Sequence, residues 1–221
     1  MSGPPRRRLR AARPLALALA LVAACGEPAA DPAAEPPAPL ALPQQAAPRD
    51  VAVLEVAGLG EVRFELLADL APQTAGHFAK LAEAGFYDGT TFHRVVPGFM
   101  IQGGDPNTRD RDPRNDGQGG NDRTVPDERP AVSHVRGIVS LAHRGTPNSG
   151  ATQFFILVGD ARHLDGQYAA FGHVTAGMDV ADRIVAAPRD VYGRHGPEER
   201  PLEDVVVTRV RIERAKPGAV P

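Results

Sequence analysis

The stretch Phe92-His93-Arg94-Val95-Val96-Pro97-Gly98-Phe99-Met100-Ile101-Gln102-Gly103-Gly104-Asp105 constrains the fold more than any other part of the chain. Two short β-prone runs, Phe92 to Val96 and Phe99 to Gln102, are joined through Pro97-Gly98, and the segment closes on two glycines. β-Branched and aromatic residues favour strand and a Pro-Gly pair marks a turn, so the stretch predicts a hairpin. That hairpin sets Arg94 beside Gln102, with Phe99 and Met100 as an apolar floor between them. Such a site suits a neutral or weakly polar ligand. It reads neither as a nucleophile site nor as a metal site, and it calls for a reaction that needs one arginine and no base.

The surrounding pattern is that of many short strands and two helices. Val51 to Val56 and Val62 to Leu67 flank Gly58-Leu59-Gly60, and in the second run Val62, Phe64 and Leu66 alternate with Arg63 and Glu65, the mark of a half-buried strand. Pro72 opens a helix whose apolar face is Ala75, Phe78, Ala79, Leu81 and Ala82, with Gly85 as its stop. Further strands are expected at Gly137 to Ala142, Thr152 to Val158 and Ala169 to Val174. Thr175 is expected to cap a second helix carrying Met178, Ala181, Ile184 and Val185, and Val205 to Glu213 alternates again. This composition of elements fits an antiparallel barrel capped by helices.

The two ends differ from this domain. Arg6, Arg7, Arg8, Arg10 and Arg13 precede the apolar run Leu15 to Ala24, the n-region and h-region of a secretory signal, too short to span a bilayer as a helix. Leu21-Val22-Ala23-Ala24-Cys25-Gly26 resembles a bacterial lipobox, which implies cleavage before Cys25 and lipidation of its sulfur. Residues 26–48 are almost entirely Pro, Ala and a few acids and cannot bury enough apolar surface to offset the entropy of ordering. The expected organisation is a signal peptide over 1–24, a lipidated Cys and disordered tether over 25–49, a folded domain over 50–214 and a disordered tail over 215–221. Without the five leader arginines the chain keeps 20 basic against 27 acidic residues, a poor balance for binding nucleic acid. Cys25 is the only cysteine, so no intramolecular disulfide exists.

Residues 105–130 are rich in Asp, Asn, Gly and Arg and read as a long solvated surface loop. A calcium-loop register from Asp110 requires Gly and Glu where Asn115 and Asn121 stand, and Gly117 to Gly120 lacks the Lys-Ser/Thr of a phosphate loop. The histidines form no ligand spacing; His77, His93, His134, His173 and His195 read as structural or exposed. No cofactor or metal is expected.

Three stretches together resemble the cyclophilin family. Phe92 to Asp105 is similar to the family signature almost residue for residue. Pro147-Asn148-Ser149-Gly150-Ala151-Thr152-Gln153-Phe154-Phe155-Ile156 and His163-Leu164-Asp165-Gly166-Gln167-Tyr168-Ala169-Ala170-Phe171-Gly172 are similar to its second and third blocks. The resemblance covers about residues 50–214 and implies a mainly β fold, a closed eight-stranded antiparallel barrel capped by two α-helices, with peptidyl-prolyl cis-trans isomerase activity. The family's catalytic arginine falls on Arg94, and its proline pocket on Phe99, Met100, Phe155 and Leu164. Its polar and backbone contacts to the peptide fall on Gln102, Ala142, His143 and Gln153. Tyr168 stands where many eukaryotic members carry His, as in many bacterial ones. Two positions depart: His163 replaces a Trp that contacts cyclosporin, which implies weak binding of that drug, and His143 replaces an Asn.

Rotation of an Xaa-Pro amide breaks no bond, so it needs no nucleophile, proton shuttle or metal, and one arginine with an apolar socket suffices in kind. The expected protein is a monomeric, lipid-anchored isomerase of the cell envelope, facing the periplasm or exterior and acting on proline-containing exported polypeptides. A non-catalytic module that binds proline peptides, or a chaperone at the membrane surface, is the competing reading, kept open by His143 and His163. The Cys25→Ser variant is expected in the soluble fraction after ultracentrifugation of lysed cells, whereas the unsubstituted chain pellets with membranes; a variant that still pellets overturns the lipobox reading.

Overall fold

A computed structural model describes residues 48–120 and 122–215; Cys25, the leader, nearly all of the tether and all but the first residue of the tail lie outside them. In chain order the elements are β1 (Val51–Val56), β2 (Gly60–Leu66), α1 (Pro72–Glu83), β3 (Arg94–Val96), β4 (Met100–Gly103) and β5 (Ile138–Leu141). Then follow β6 (Phe154–Leu157), β7 (Ala169–Ala176), α2 (Met178–Val185), β8 (Arg189–Asp190), β9 (Arg200–Pro201) and β10 (Val207–Glu213). Eight strands form one antiparallel sheet in the order β10-β1-β2-β7-β5-β6-β4-β3, and β8 pairs with β9 alone.

Expected as a closed barrel, the sheet is a curled one whose edge strands β3 and β10 do not pair along their length. The two edges meet at a single bridge, Thr91 with Val206, flanked by Phe92 N donating to Val205 O at 3.0 Å and Val207 N to Thr90 O at 2.8 Å. Past that point the outer side of β3 is taken by the β8–β9 hairpin, where Val95 N donates to Glu199 O at 2.8 Å. That hairpin has no hydrophobic alternation, and its two-residue strands gave no sequence signal.

The pleat divides the apolar side chains into two cores. Val95, Ile101, Val139, Leu141, Phe154, Ile156 and Phe171 face the main core with α1, α2, β1 and β2. Met100, Ile138, Phe155, Leu157 and Ala170 face a smaller cluster on the opposite side of the sheet, with Leu164 and Leu67. Alternate residues of one strand therefore serve two different layers.

Helix α1 buries the expected Ala75, Phe78, Ala79, Leu81 and Ala82. Its first turn is capped from a distance: the Glu128 carboxylate accepts from Gln73 N at 3.0 Å and Thr74 N at 2.7 Å, answering donors that the helix itself leaves open. Helix α2 corrects the sequence reading. Thr175 is still in β7, and the N-cap is Gly177, at φ 88° with no side-chain cap. A Cβ on Gly177 would stand 2.1 Å from Glu61 O, so close approach to β2 demands glycine there. The 105–130 segment is also more than a solvated loop, since it carries two 3₁₀ turns and buries Asp105, Thr108 and Asp116. At the start of the described residues, Arg49 donates to both oxygens of Asp69 at 2.9 and 2.7 Å.

Phe78 is the aromatic centre of the main core, packed on Tyr87, Phe64, Phe171 and Phe154 at centroid distances of 4.9, 5.5, 5.2 and 5.5 Å. Phe78→Ala is expected to cost about 3–5 kcal/mol in urea unfolding; a loss below about 1 kcal/mol would show that this cluster does not hold α1 to the sheet.

Candidate active site

The hairpin predicted at Phe92 to Asp105 is β3–β4, in register Arg94 opposite Gln102 and Val96 opposite Met100, with Gly98 at φ 72° in the turn. Strand β4 pairs next with β6, Gln102 opposite Phe155, and β6 with β5, Ser140 opposite Phe155. Arg94, Gln102 and Phe155 thus stand in one row across three strands. Around that row lies a pocket of about 320 Å³ lined by Arg94, Phe99, Met100, Gln102, Ala142, His143, Phe155, Leu164 and Tyr168. Of the expected site residues only Gln153 and His163 are missing from the lining. Gln153 lies behind Gln102, and His163 is exposed at the rim, its ring tilted at 32° to that of Phe99 at 5.9 Å.

The pocket is apolar at its base and polar on one edge. Met100, Phe155 and Leu164 are buried, and the Tyr168 ring meets Phe155 edge-on at 5.4 Å and 86°. On the polar edge, Gln102 Nε2 donates to Gln153 Oε1 at 2.9 Å. Gln153 Nε2 in turn donates to Gly117 O at 3.0 Å and Gly119 O at 3.2 Å. The same loop is tied down by Asp105, whose carboxylate accepts from Asn107 N at 2.8 Å and Gly119 N at 3.1 Å. The loop thereby holds the glutamine pair, a role with no motif of its own in the sequence. A Cβ at Gly119 would lie 2.1 Å from Asp105 Oδ1, so no other residue fits without moving that carboxylate. Next to the pair is a smaller cavity of about 90 Å³, lined also by Arg144 and Ser149.

Of the two histidine departures, His143 is held in place by backbone and by a neighbouring ring. His143 lies flat on Tyr168, at 4.2 Å and 16°. Its Nδ1 accepts from Gly145 N at 2.9 Å while its Nε2 donates to Gln167 O at 3.1 Å. Both nitrogens are occupied by backbone, which assigns the Nε2–H tautomer.

Two further histidines support the site from beneath. His134 is buried behind Phe155 and Tyr168, each ring 6.5 Å away. Its Nδ1–H donates to Asp165 Oδ1 at 3.0 Å, and Ser140 Oγ donates to its Nε2 at 3.0 Å. Burial lowers the His134 pKa against the pull of Asp165. Burial pushes the Asp165 carboxyl up, but the His134 and Ser133 hydrogen bonds outweigh it and hold it below its usual range. His93, next to Arg94, is buried with neither ring nitrogen in a full hydrogen bond, and burial pushes its pKa down to about 4 despite Asp105. These histidines are neutral near pH 7, and no carboxylate among the described residues pairs with Arg94. Its guanidinium is the pocket's only permanent charge. Among the described residues no group of three or more His, Cys, Asp or Glu side chains is placed to hold a metal ion.

A family model, that of the cyclophilin type peptidyl-prolyl cis-trans isomerase/CLD, matches residues 51–212. The chain belongs to this family of isomerases. It is similar to a peptidyl-prolyl cis-trans isomerase of Arabidopsis thaliana, 38% identical over 159 residues that make up 70% of this chain and 91% of the relative. To one of Acinetobacter baylyi it is 36% identical over 160 residues, 70% of this chain and 81% of the relative. In fold it is similar to the crystal structure of a Cryptosporidium parvum cyclophilin type peptidyl-prolyl cis-trans isomerase, with TM-score 0.66 and 27% identity, covering 76% of this chain and 100% of that one. A structure of the same protein in the presence of the dipeptide Ala-Pro gives TM-score 0.64 and 28% identity over 74% and 98%. As a cyclophilin-type isomerase, the chain interconverts the cis and trans forms of peptidyl-prolyl bonds.

The neutral buried histidines make stability depend on pH. The unfolded chain takes up protons near the ordinary histidine pKa of 6.5, the folded chain only lower, at about 4 for His93. Stability is therefore full above about pH 6.5 and lost as pH falls towards 4. The urea midpoint is expected to drop between about pH 7 and pH 5 by the equivalent of roughly 2 kcal/mol, with a smaller drop in His93→Gln. A pH-independent midpoint would show that His93 is not held neutral.

Proposed function

We propose that the chain speeds rotation about Xaa-Pro bonds without covalent chemistry, with Arg94 stabilising the twisted amide. The observation that carries this is the placement of Arg94, without a carboxylate partner, on the edge of an apolar pocket of about 320 Å³ with Gln102 opposite it in register. Amide resonance sets a barrier of about 18–20 kcal/mol to rotation. In the twisted state the nitrogen lone pair is no longer conjugated and accepts a hydrogen bond it cannot accept when planar. A donor aimed there favours the transition state over both planar forms. A guanidinium suits the task because it cannot be deprotonated in a protein. Phe99, Met100, Phe155 and Leu164 hold the proline ring, and Gln102, held by Gln153, fixes the part of the peptide that does not turn. Ala142, His143, His163 and Tyr168 form the rim over which the peptide lies. The Ala-Pro dipeptide used with the Cryptosporidium parvum relative supports proline-containing peptides as the substrate class.

The same reading extends to architecture and location. The Thr91–Val206 bridge supports a barrel that closes at one point. The leader and Cys25 support a lipid anchor in the cell envelope, with exported polypeptides as clients. Spontaneous isomerisation takes tens of seconds or more, slow enough to limit folding where unfolded chains are delivered.

Exchange spectroscopy on an Ala-Pro-Phe peptide tests the mechanism. Arg94→Ala is expected to lower kcat/KM by about 10²–10³-fold, the scale of losing one preorganised donor. Unchanged exchange in Arg94→Ala overturns the role of Arg94. Peptide binding without exchange in the unsubstituted chain favours the binding module instead.

A further inference from the structure

On the side of Arg94 away from the apolar pocket lies a larger cleft, about 890 Å³, between the loop at 113–118 and the β8–β9 hairpin tip at 193–197. It shares Arg94 and Gln102 with the proline pocket, so a peptide seated in one runs into the other. The charges in its wall do not cancel. Asp116, its one carboxylate, is buried and accepts from Arg200 Nε at 2.7 Å. Arg114 is matched by Asp112, with contacts of 2.7 and 2.9 Å. Arg94 and Arg194 are left over. Neither has an ion-pair partner among the described residues, and Arg194 is exposed, lying over the Tyr192 ring at 5.1 Å. The hairpin tip that carries Arg194 is fixed, since Asp190 accepts from His195 N at 2.6 Å and Tyr192 N at 3.3 Å. Across the mouth, the tip abuts the other wall closely: a Cβ on Gly196 would stand 3.1 Å from Pro113 O.

We propose that this cleft is a specificity subsite for substrate residues flanking the proline, and that it selects an acidic side chain through Arg194. A carboxylate entering it meets two uncompensated guanidiniums and no uncompensated acid, while a lysine is repelled. The subsite rests on the isomerase reading and adds a preference to it: the hairpin, remote in sequence from the proline pocket, decides which Xaa-Pro sites are turned over fastest.

The test uses the full chain and peptides that differ at one position only, Glu, Ala or Lys, scanned over the second and third residues on each side of the Xaa-Pro bond. Glu at one of these positions is expected to raise kcat/KM about two- to fivefold over Ala, the range of one exposed ion pair, with Lys below Ala. The spread should shrink on going from about 0.05 M to about 0.5 M salt. Arg194→Ala should bring the Glu-to-Ala ratio towards one, and Arg194→Lys should keep part of it. Equal kcat/KM for the three peptides at every position overturns the subsite, as does a Glu preference that survives Arg194→Ala. Absence of turnover on all peptides, by contrast, overturns the isomerase reading and the subsite with it.

Discussion

Everything at the site depends on the antiparallel register of β3, β4 and β6. Because side chains alternate across a strand, Met100 and Gln102 point to the pocket while Ile101 between them points to the main core. A slip of one residue would exchange these sets, burying Gln102 and exposing Ile101. The main core thus holds the site in register: Ile101 and Ile156 cannot leave it without losing burial worth about 1.5–3 kcal/mol each. The geometry of the candidate site and the stability of the fold are two faces of one pleat.

What the pleat cannot supply is the orientation of the polar side chains above it. A glutamine has free rotors, and an amide that presents one fixed face must be held. Here the carbonyls of Gly117 and Gly119 hold Gln153, and Gln153 holds Gln102. Asp105, at the end of the hairpin, anchors the loop that provides those carbonyls. The hairpin and its loop therefore form a closed circuit of hydrogen bonds around the polar edge. The same loop forms one wall of the cleft beyond Arg94, so a single segment touches both the proposed chemistry and the proposed selectivity.

Amide rotation moves no proton, and the electrostatics of the site agree with that demand. His93 and His134 are neutral through burial, and both nitrogens of His143 are tied to backbone. Keeping the neighbours neutral leaves the field in the pocket to one guanidinium.

The sequence by itself determined the elements whose signal is local. The alternation in β2, the Pro72 start and apolar face of α1, and the Pro-Gly hairpin with Arg94 beside Gln102 all follow from spacing, because short-range sterics and burial of one face set them. Similarity to a family added the residues that no spacing ties together, such as Phe155 and Leu164 with Arg94. Only the tertiary structure decided the rest. Glu128 caps α1 from across the chain, Gly177 and not Thr175 begins α2 because β2 lies against it, and the 105–130 segment is structural because its glycine carbonyls meet Gln153. Arg194 comes to the same cleft as Arg94 only through the β8–β9 hairpin. Each is a contact between residues far apart in sequence, and neither propensity nor periodicity, which act over a few residues, carries information about it.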